Sequence, residues 1–205
     1  VENAIREAAD LGAPLLRIFG GYVEQTGGAK GVGLANGFGL VIKGIERILP
    51  LAERLRVVVA LENHGRLPGH SYEIEALLQR FGTPWVKCLF DCANFVANNM
   101  DEIEDPLAAY RRLWPHVVHV HLKDFGPPVE RRELRVEAFV AGEGAVPIRQ
   151  FVAATEAAMY SGYCSLEYEA GFKVPETEGV SRSLAYFREL RTLHRLFAGS
   201  PPSRA

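Results

Sequence analysis

Four segments of this chain share one pattern, in which several apolar residues are followed by a side chain that can bind a metal ion. They are VVVALENH (57–64), VKCLFDCAN (86–94), VVHVHLKD (117–124) and CSLEYE (164–169). A short apolar run of this kind predicts a β-strand that is buried on both faces, as strands of parallel sheets are. Because the polar residues stand at the carboxyl ends, the pattern predicts parallel strands whose ends surround a polar site.

Strands and helices are predicted to alternate along the chain, which indicates βαβ units with right-handed crossovers. Pro50 is expected to bend or break the second helix, and the glycine-rich stretch from Gly20 to Gly39 is expected to form a long loop. We predict helices over 3–12, 40–55, 72–81, 105–113, 147–160 and 179–197, and two further strands in LLRIFGG (15–21) and around 134–140.

Alternation alone does not distinguish a doubly wound open sheet from a (β/α)8 barrel. The candidate ligands do, because 29 residues separate Glu62 from Asp91, 30 separate Asp91 from His121, and 46 separate His121 from Glu167. Each of the first two intervals is the length of one βα repeat, and the third is the length of two repeats of which one is short. All strands of a barrel end at one mouth, whereas distant strand ends diverge in an open sheet. The spacing therefore favours the barrel.

The four candidates supply three carboxylates and one imidazole, a set that suits Mn²⁺, Mg²⁺, Co²⁺ or Zn²⁺ and leaves positions for a substrate's adjacent oxygens. Each also has a simpler interpretation when taken alone. A strand-end acid is usually solvated, and a histidine is more often a hydrogen-bonded core residue. We expect His119 to support His121 rather than to bind metal. Glu169 shares a strand face with Glu167 and is the alternative to it.

The stretches ALENHG, FDCANF, HVHLKD, GEGAVPI and GYCSLEYE, in this order, resemble those of the sugar phosphate isomerase/epimerase superfamily. These are xylose isomerase-like TIM barrels that include tagatose and psicose 3-epimerases and inosose dehydratase. The resemblance covers nearly the whole chain, with residues 1–198 as one barrel and 199–205 as a disordered tail. It implies that the metal ligands are Glu62, Asp91, His121 and Glu167, with Mn²⁺ the first choice of metal.

The resemblance also implies a mechanism on a ketose or related polyol that chelates the metal. One of Glu62 and Glu167 would remove the proton beside the carbonyl, the metal would hold the cis-enediolate, and the other glutamate would return a proton. Epimerisation, aldose–ketose isomerisation and inosose-type dehydration all remain open. His64, Asn94 and Lys123 are expected to contact the substrate, although Lys123 is equally compatible with a salt bridge at the barrel mouth.

The chain is expected to differ from the family at its amino-terminal end. Six strands are predicted, whereas the closed barrel needs eight, so the first two βα units are expected to be absent. Two unpaired sheet edges would invite pairing with another chain, including a second copy. A barrel fragment that binds metal without turnover is therefore the second hypothesis.

Composition excludes other classes of protein. A net charge of −2 over 205 residues provides no basic face for nucleic acid, which argues against the third reading, an apurinic endonuclease of the endonuclease IV type. No apolar run could span a bilayer, and VENAIREAAD lacks a signal-peptide core. Unpaired cysteines are predicted in the core at Cys88, Cys92 and Cys164. We expect a cytoplasmic enzyme of small molecules, with no nucleic acid and no membrane partner.

Overall fold

The computed structural model describes residues 1–24, 27–97, 103–127 and 137–198. Within these ranges, five strands form one curled parallel sheet in the order β1, β2, β3, β4, β7. Their bounds are β1 (Leu15–Ile18), β2 (Val58–Glu62), β3 (Val86–Asp91), β4 (Val117–Leu122) and β7 (Tyr163–Leu166). Because every neighbouring pair is parallel, each connection must cross over the sheet through intervening chain.

Helices provide these crossovers. The described ranges hold α1 (Glu2–Asp10), α2 (Leu34–Leu55), α3 (Ser71–Phe81), α4 (Asn94–Ala97), α5 (Pro106–Leu113), α6 (Ile148–Ala157) and α7 (Glu176–Ala198), and a 3₁₀ turn lies at Trp114–His116. Helix α5 begins where sequence rules expect, since Asp105 accepts a hydrogen bond from the Leu107 N–H and Pro106 occupies the first turn. No helix of the described part is both long and apolar enough to cross a membrane.

The main core lies between the central strands and the helices α3, α5 and α6. Phe90 of β3 stacks on Phe151 of α6, with ring centroids 5.4 Å apart, and Tyr110 of α5 meets both rings edge-on. A second cluster joins α1 and α2 to the strands β1 and β2. The central strands β2 and β3 are almost wholly buried, whereas β1 and β7 are only partly covered. The sheet therefore provides a rigid base for residues at its central carboxyl ends.

The predicted barrel-type α/β fold is confirmed, but the predicted six strands are wrong in number. Residues 138–139 form β6 (Ala138–Phe139), which pairs antiparallel with β5 (Asp124–Phe125) outside the main sheet. The cause is that β4 already pairs directly with β7, so no edge of β4 is left. Residues 128–136, which include the start of the predicted strand, lie outside the described residues, as does the predicted tail 199–205.

Helix α2 also differs from its prediction. It begins at Leu34 rather than near residue 40, and it continues through Pro50 to Leu55 without a break. Gly37, predicted to lie in a loop, is inside this helix. Glycine suits the position because an added Cβ would lie 2.5 Å from Cδ1 of the buried Leu67 side chain. Pro50 is exposed, so the buried face of the helix keeps its packing on both sides of it.

Candidate metal centre and active site

The four predicted metal ligands come from four different strands and meet at one end of the sheet. Glu62 and Asp91 are the last residues of β2 and β3, His121 is the penultimate residue of β4, and Glu167 follows directly after β7. Each offers one ligand atom, and these atoms all lie within 4.8 Å of one another. Curling of a parallel sheet brings successive carboxyl ends together, which is why residues spread over 106 positions converge.

The three distances from His121 to the other residues are close to those between ligands of one cation. His121 Nδ1 lies 2.9 Å from Glu62 Oε1, 3.5 Å from Glu167 Oε2 and 3.9 Å from Asp91 Oδ2. Bonds of about 2.0–2.2 Å to a shared cation place ligand atoms roughly 3–4.4 Å apart. Asp91 Oδ2 and Glu167 Oε2 are buried and accept no hydrogen bond of good geometry, so both have free lone pairs. The residues present therefore fit a divalent cation.

Lys123 lies against the same two oxygens. Its Nζ is 3.2 Å from Asp91 Oδ2, 2.6 Å from Glu167 Oε2 and 2.9 Å from Glu169 Oε1, and only 2% of the side chain is exposed. Only the contact with Glu169 has hydrogen-bond geometry, so the other two are ion pairs. Lys123 thus supplies positive charge to the carboxylates while Glu169, the alternative ligand, is engaged as its hydrogen-bond acceptor.

Hydrogen bonds from the backbone hold Asp91 in place. Its Oδ1 accepts the N–H groups of Ala93 and Asn94 at 2.8 and 3.0 Å. Asn63 ties β2 to β3 at the same level, because its Oδ1 accepts the Asp91 N–H and its Nδ2 donates to the Asp91 carbonyl. These contacts occupy Oδ1 of Asp91 and leave Oδ2 for the site.

The electrostatics of the cluster differ from one acid to the next. Burial by itself would raise the pKa of Glu62. Hydrogen bonds with His121 and His64, followed by the charge of Arg17, outweigh burial and lower the pKa to about 2. At Asp91 burial prevails and raises the pKa to about 6, although the charge of Lys123 opposes the shift.

The remaining two groups form a pair. The close contact with His121 lowers the pKa of Glu167 below its ordinary value, against the effect of burial. Burial also opposes charge on His121, but its contact with Glu167 and its hydrogen bond with Glu62 raise its pKa to about 9. Of the three acids, Asp91 therefore has the least stabilised charged form, and it would gain most from a nearby cation.

The predicted substrate residues line the edge of the cluster. His64 Nδ1 lies 3.4 Å from Glu62 Oε2, and its Nε2 is 3.1 Å from the Tyr22 hydroxyl. Asn94 is buried beside Asp91, and its Nδ2 has no hydrogen-bond partner. His119 is not among the four clustered residues; its Nε2 is 2.9 Å from Ser165 Oγ, and its ring meets that of His121 edge-on.

Arg17 is a residue of the site that the sequence prediction missed. It lies on β1 and donates from Nε to Glu62 Oε2 at 2.7 Å. The sequence did contain one signal, because Arg17 is the single charged residue in the apolar run LLRIFGG. A charged residue in a buried strand usually has a polar partner. Sequence alone did not name that partner, because the partner lies on the neighbouring strand.

Comparison with known proteins decides the family. The sequence model of the xylose isomerase-like TIM barrel family matches residues 1–190. The chain belongs to that family. Its helices and its parallel sheet are thus those of a xylose isomerase-like barrel, of which the described residues supply five strands where the closed form has eight.

Individual proteins are similar to most of this chain. The uncharacterized protein YihM of Escherichia coli is 24% identical over 149 residues, which are 73% of this chain and 41% of YihM. A D-tagatose 3-epimerase-like protein of known structure has a TM-score of 0.76 at 15% identity, over 97% of this chain and 70% of that one.

A second solved structure is a xylose isomerase-like TIM barrel protein from Mycobacterium smegmatis in complex with magnesium. Its TM-score is 0.71 at 14% identity, and the match covers 94% of this chain and 66% of that one. At such identities the two structures establish the fold alone. The chain spans less than half of YihM and about two thirds of the two solved chains.

Proposed function

We propose that this chain carries the active site of a divalent-metal-dependent isomerase or epimerase that acts on a ketose or a related polyol. The supporting observation is the convergence of Glu62, Asp91, His121 and Glu167 at one mouth, with their ligand atoms within 4.8 Å. Membership of the xylose isomerase-like family and the likeness to a D-tagatose 3-epimerase-like protein support the substrate class.

The same four residues would hold the metal. Three oxygen donors and one imidazole favour Mn²⁺, with Mg²⁺, Co²⁺ or Zn²⁺ as alternatives, and the magnesium complex of a family member supports a divalent ion. When bound, the ion would supply Lewis acidity toward adjacent oxygens of the substrate and stabilise the negative charge that develops on them.

Glu62 and Glu167 are proposed as the two proton carriers. One carboxylate removes the proton from the carbon next to the carbonyl and becomes a carboxylic acid, while the substrate becomes an enediolate. The other glutamate, in its acid form, returns a proton to carbon. Their lowered pKa values keep the proton acceptor ionised at neutral pH, and the second glutamate must take up a proton from solvent before it can return one to carbon.

Three further side chains are proposed to bind the substrate. His64 stands beside Glu62, and Asn94 offers an unpartnered buried amide next to Asp91. Lys123 is proposed to face the oxygen that becomes negatively charged, because its ammonium already lies within 3.2 Å of two of the ligand carboxylates. A cytoplasmic setting is part of the proposal and is supported by three free cysteines in the described part of the chain.

The experiment combines metal binding with proton exchange. The purified chain is titrated with Mn²⁺ while its unfolding temperature is followed, and then incubated with D-tagatose and other ketoses in deuterated water. We expect a thermal shift and incorporation of deuterium beside the carbonyl by NMR. Glu167→Gln and Glu62→Gln should each reduce exchange by on the order of a thousandfold, because a carboxamide cannot accept the proton.

Glu176→Gln serves as the control, since this exposed residue lies at the start of α7 and should leave both readouts unchanged. A thermal shift without exchange would favour the second candidate, a metal-binding barrel without turnover. The two open edges of the five-stranded sheet are the observation that supports that candidate. If the chain shows no thermal shift and no deuterium exchange, both candidates are refuted.

A further inference from the structure

Arg17 contacts the proposed active site through the oxygen of Glu62 that does not face His121. Glu62 Oε1 lies 2.9 Å from His121 Nδ1, whereas Oε2 accepts a hydrogen bond from Arg17 Nε at 2.7 Å. Arg17 Nη2 also contacts Oε2 directly. The two oxygens of one fully buried carboxylate therefore have separate partners.

Arg17 is itself held by neighbours on two sides. Its Nη2 lies 3.4 Å from His64 Nδ1, and the His64 ring in turn contacts the Tyr22 hydroxyl through Nε2 at 3.1 Å. The Phe19 ring covers the guanidinium at 5.3 Å and lies against His64. With a planar fork that is fixed in this way, the orientation of the Glu62 carboxylate is fixed as well.

We infer that Arg17 is a positioning residue that keeps Glu62 a one-oxygen ligand: it reserves Oε2 and leaves Oε1 for the metal. This inference rests on the proposed metal site. Without Arg17, Oε2 would be free to turn toward the cation, and Glu62 would bind it through both oxygens.

The inference predicts effects of opposite sign for Arg17→Met. Metal affinity should be retained or increased, because a positive charge beside a ligand carboxylate is removed. Deuterium exchange into a ketose should fall by on the order of tenfold to a hundredfold, because the carboxylate is misplaced. A residue with a merely structural role would instead lower both together with the fraction of folded protein.

The test uses Co²⁺ as the probe, because the intensity of its visible absorption falls as the number of ligands rises. We expect the Co²⁺-loaded Arg17→Met chain to absorb more weakly than the wild-type chain, and Arg17→Lys to restore part of the intensity. Arg112→Met is the matched control, since it removes an ion pair with Glu75 that joins α5 to α3 outside the site. Circular dichroism confirms that each variant is folded.

The outcomes separate this inference from the proposed function. An unchanged Co²⁺ spectrum and an unchanged exchange rate in folded Arg17→Met would overturn the role of Arg17 and leave the metal site intact. A wild-type chain that binds no Co²⁺ would remove the metal site, and this inference with it. A Co²⁺ spectrum that changes equally in Arg112→Met would also overturn the specific role of Arg17.

Discussion

At the scale of single residues, the polar atoms of this site fall into two groups. Some make hydrogen bonds that hold the strand ends, and others make no hydrogen bond. The Asn63 amide joins β2 to β3, and Asp91 Oδ1 accepts two backbone N–H groups that follow β3, while Asp91 Oδ2, Glu167 Oε2 and Asn94 Nδ2 are buried without a hydrogen bond. A buried polar atom without a hydrogen bond costs roughly 1–3 kcal/mol, and at the two carboxylate oxygens the ion pairs with Lys123 offset part of this cost. Such atoms grouped at one mouth favour a site arranged for a ligand.

Asn94 permits a direct check of this argument. We expect Asn94→Ala to lower the free energy of unfolding by less than about 1 kcal/mol, because its Nδ2 has no partner to lose. If the amide binds a substrate oxygen, the same change should raise KM for ketose exchange by about tenfold with Mn²⁺ affinity unchanged.

The measurements are chemical denaturation, Mn²⁺ titration and initial rates of exchange at several substrate concentrations. Asn3→Ala, on the exposed face of α1, is the control. A large loss of stability with an unchanged KM would show that Asn94 serves the fold instead of the substrate.

At the scale of elements, the turn after β6 is organised by one carboxylate. Asp124 is 2% exposed, and its Oδ2 accepts the N–H groups of Gly142 and Gly144 while Oδ1 accepts that of Val146. Burial raises the pKa of Asp124, although these hydrogen bonds oppose the shift. Gly144 must be glycine here, because an added Cβ would collide with the Asp124 carboxylate. The GEG motif is thus a turn wrapped around an internal acid.

Asp124→Asn should therefore loosen this turn. The amide nitrogen cannot accept a hydrogen bond from an N–H group, so one oxygen's contacts are lost, and we expect a fall in the free energy of unfolding of about 1–3 kcal/mol. Hydrogen exchange at Gly142, Gly144 and Val146 should accelerate. Asp10→Asn, at the exposed end of α1, should change neither quantity, and unchanged protection at the three amides would refute the assigned role.

At the scale of the whole molecule, the five-stranded sheet has two free edges within the described residues. On β7, Tyr163 is 77% exposed although its strand neighbours in β4 are largely covered. A closed barrel has no edges, whereas an open parallel sheet exposes strand hydrogen-bonding groups that can pair with another chain. The four ligand-type residues meet at the mouth although the surrounding sheet is open.

We predict that the 205-residue chain self-associates at micromolar concentration, and that Tyr163→Lys shifts it toward the monomer by placing a charge on the β7 edge. Sedimentation velocity over a range of concentrations measures this. Leu11→Lys introduces the same charge at an exposed position away from the sheet edges and should not alter association. A wild-type chain that stays monomeric throughout would contradict the prediction.

The sequence by itself determined the alternation of strands and helices, the parallel strands and the four residues that converge, because apolar runs and their polar ends are local patterns. The four apolar runs overlap β2, β3, β4 and β7. Local patterns also misled: the glycines at the start of α2 and Pro50 favour a loop and a break, but packing of the buried face against Leu67 and the sheet overrides them.

Only the tertiary structure decided which residues become partners across strands. The pairing of β4 with β7 excludes residues 138–139 from the sheet. The pairing of β1 with β2 brings Arg17 next to Glu62. Neither contact has a signature in sequence, since both depend on strand order and register, which arise when the whole sheet packs. The set of four converging residues was therefore open to prediction, whereas the separate partners of the two oxygens of Glu62 were not.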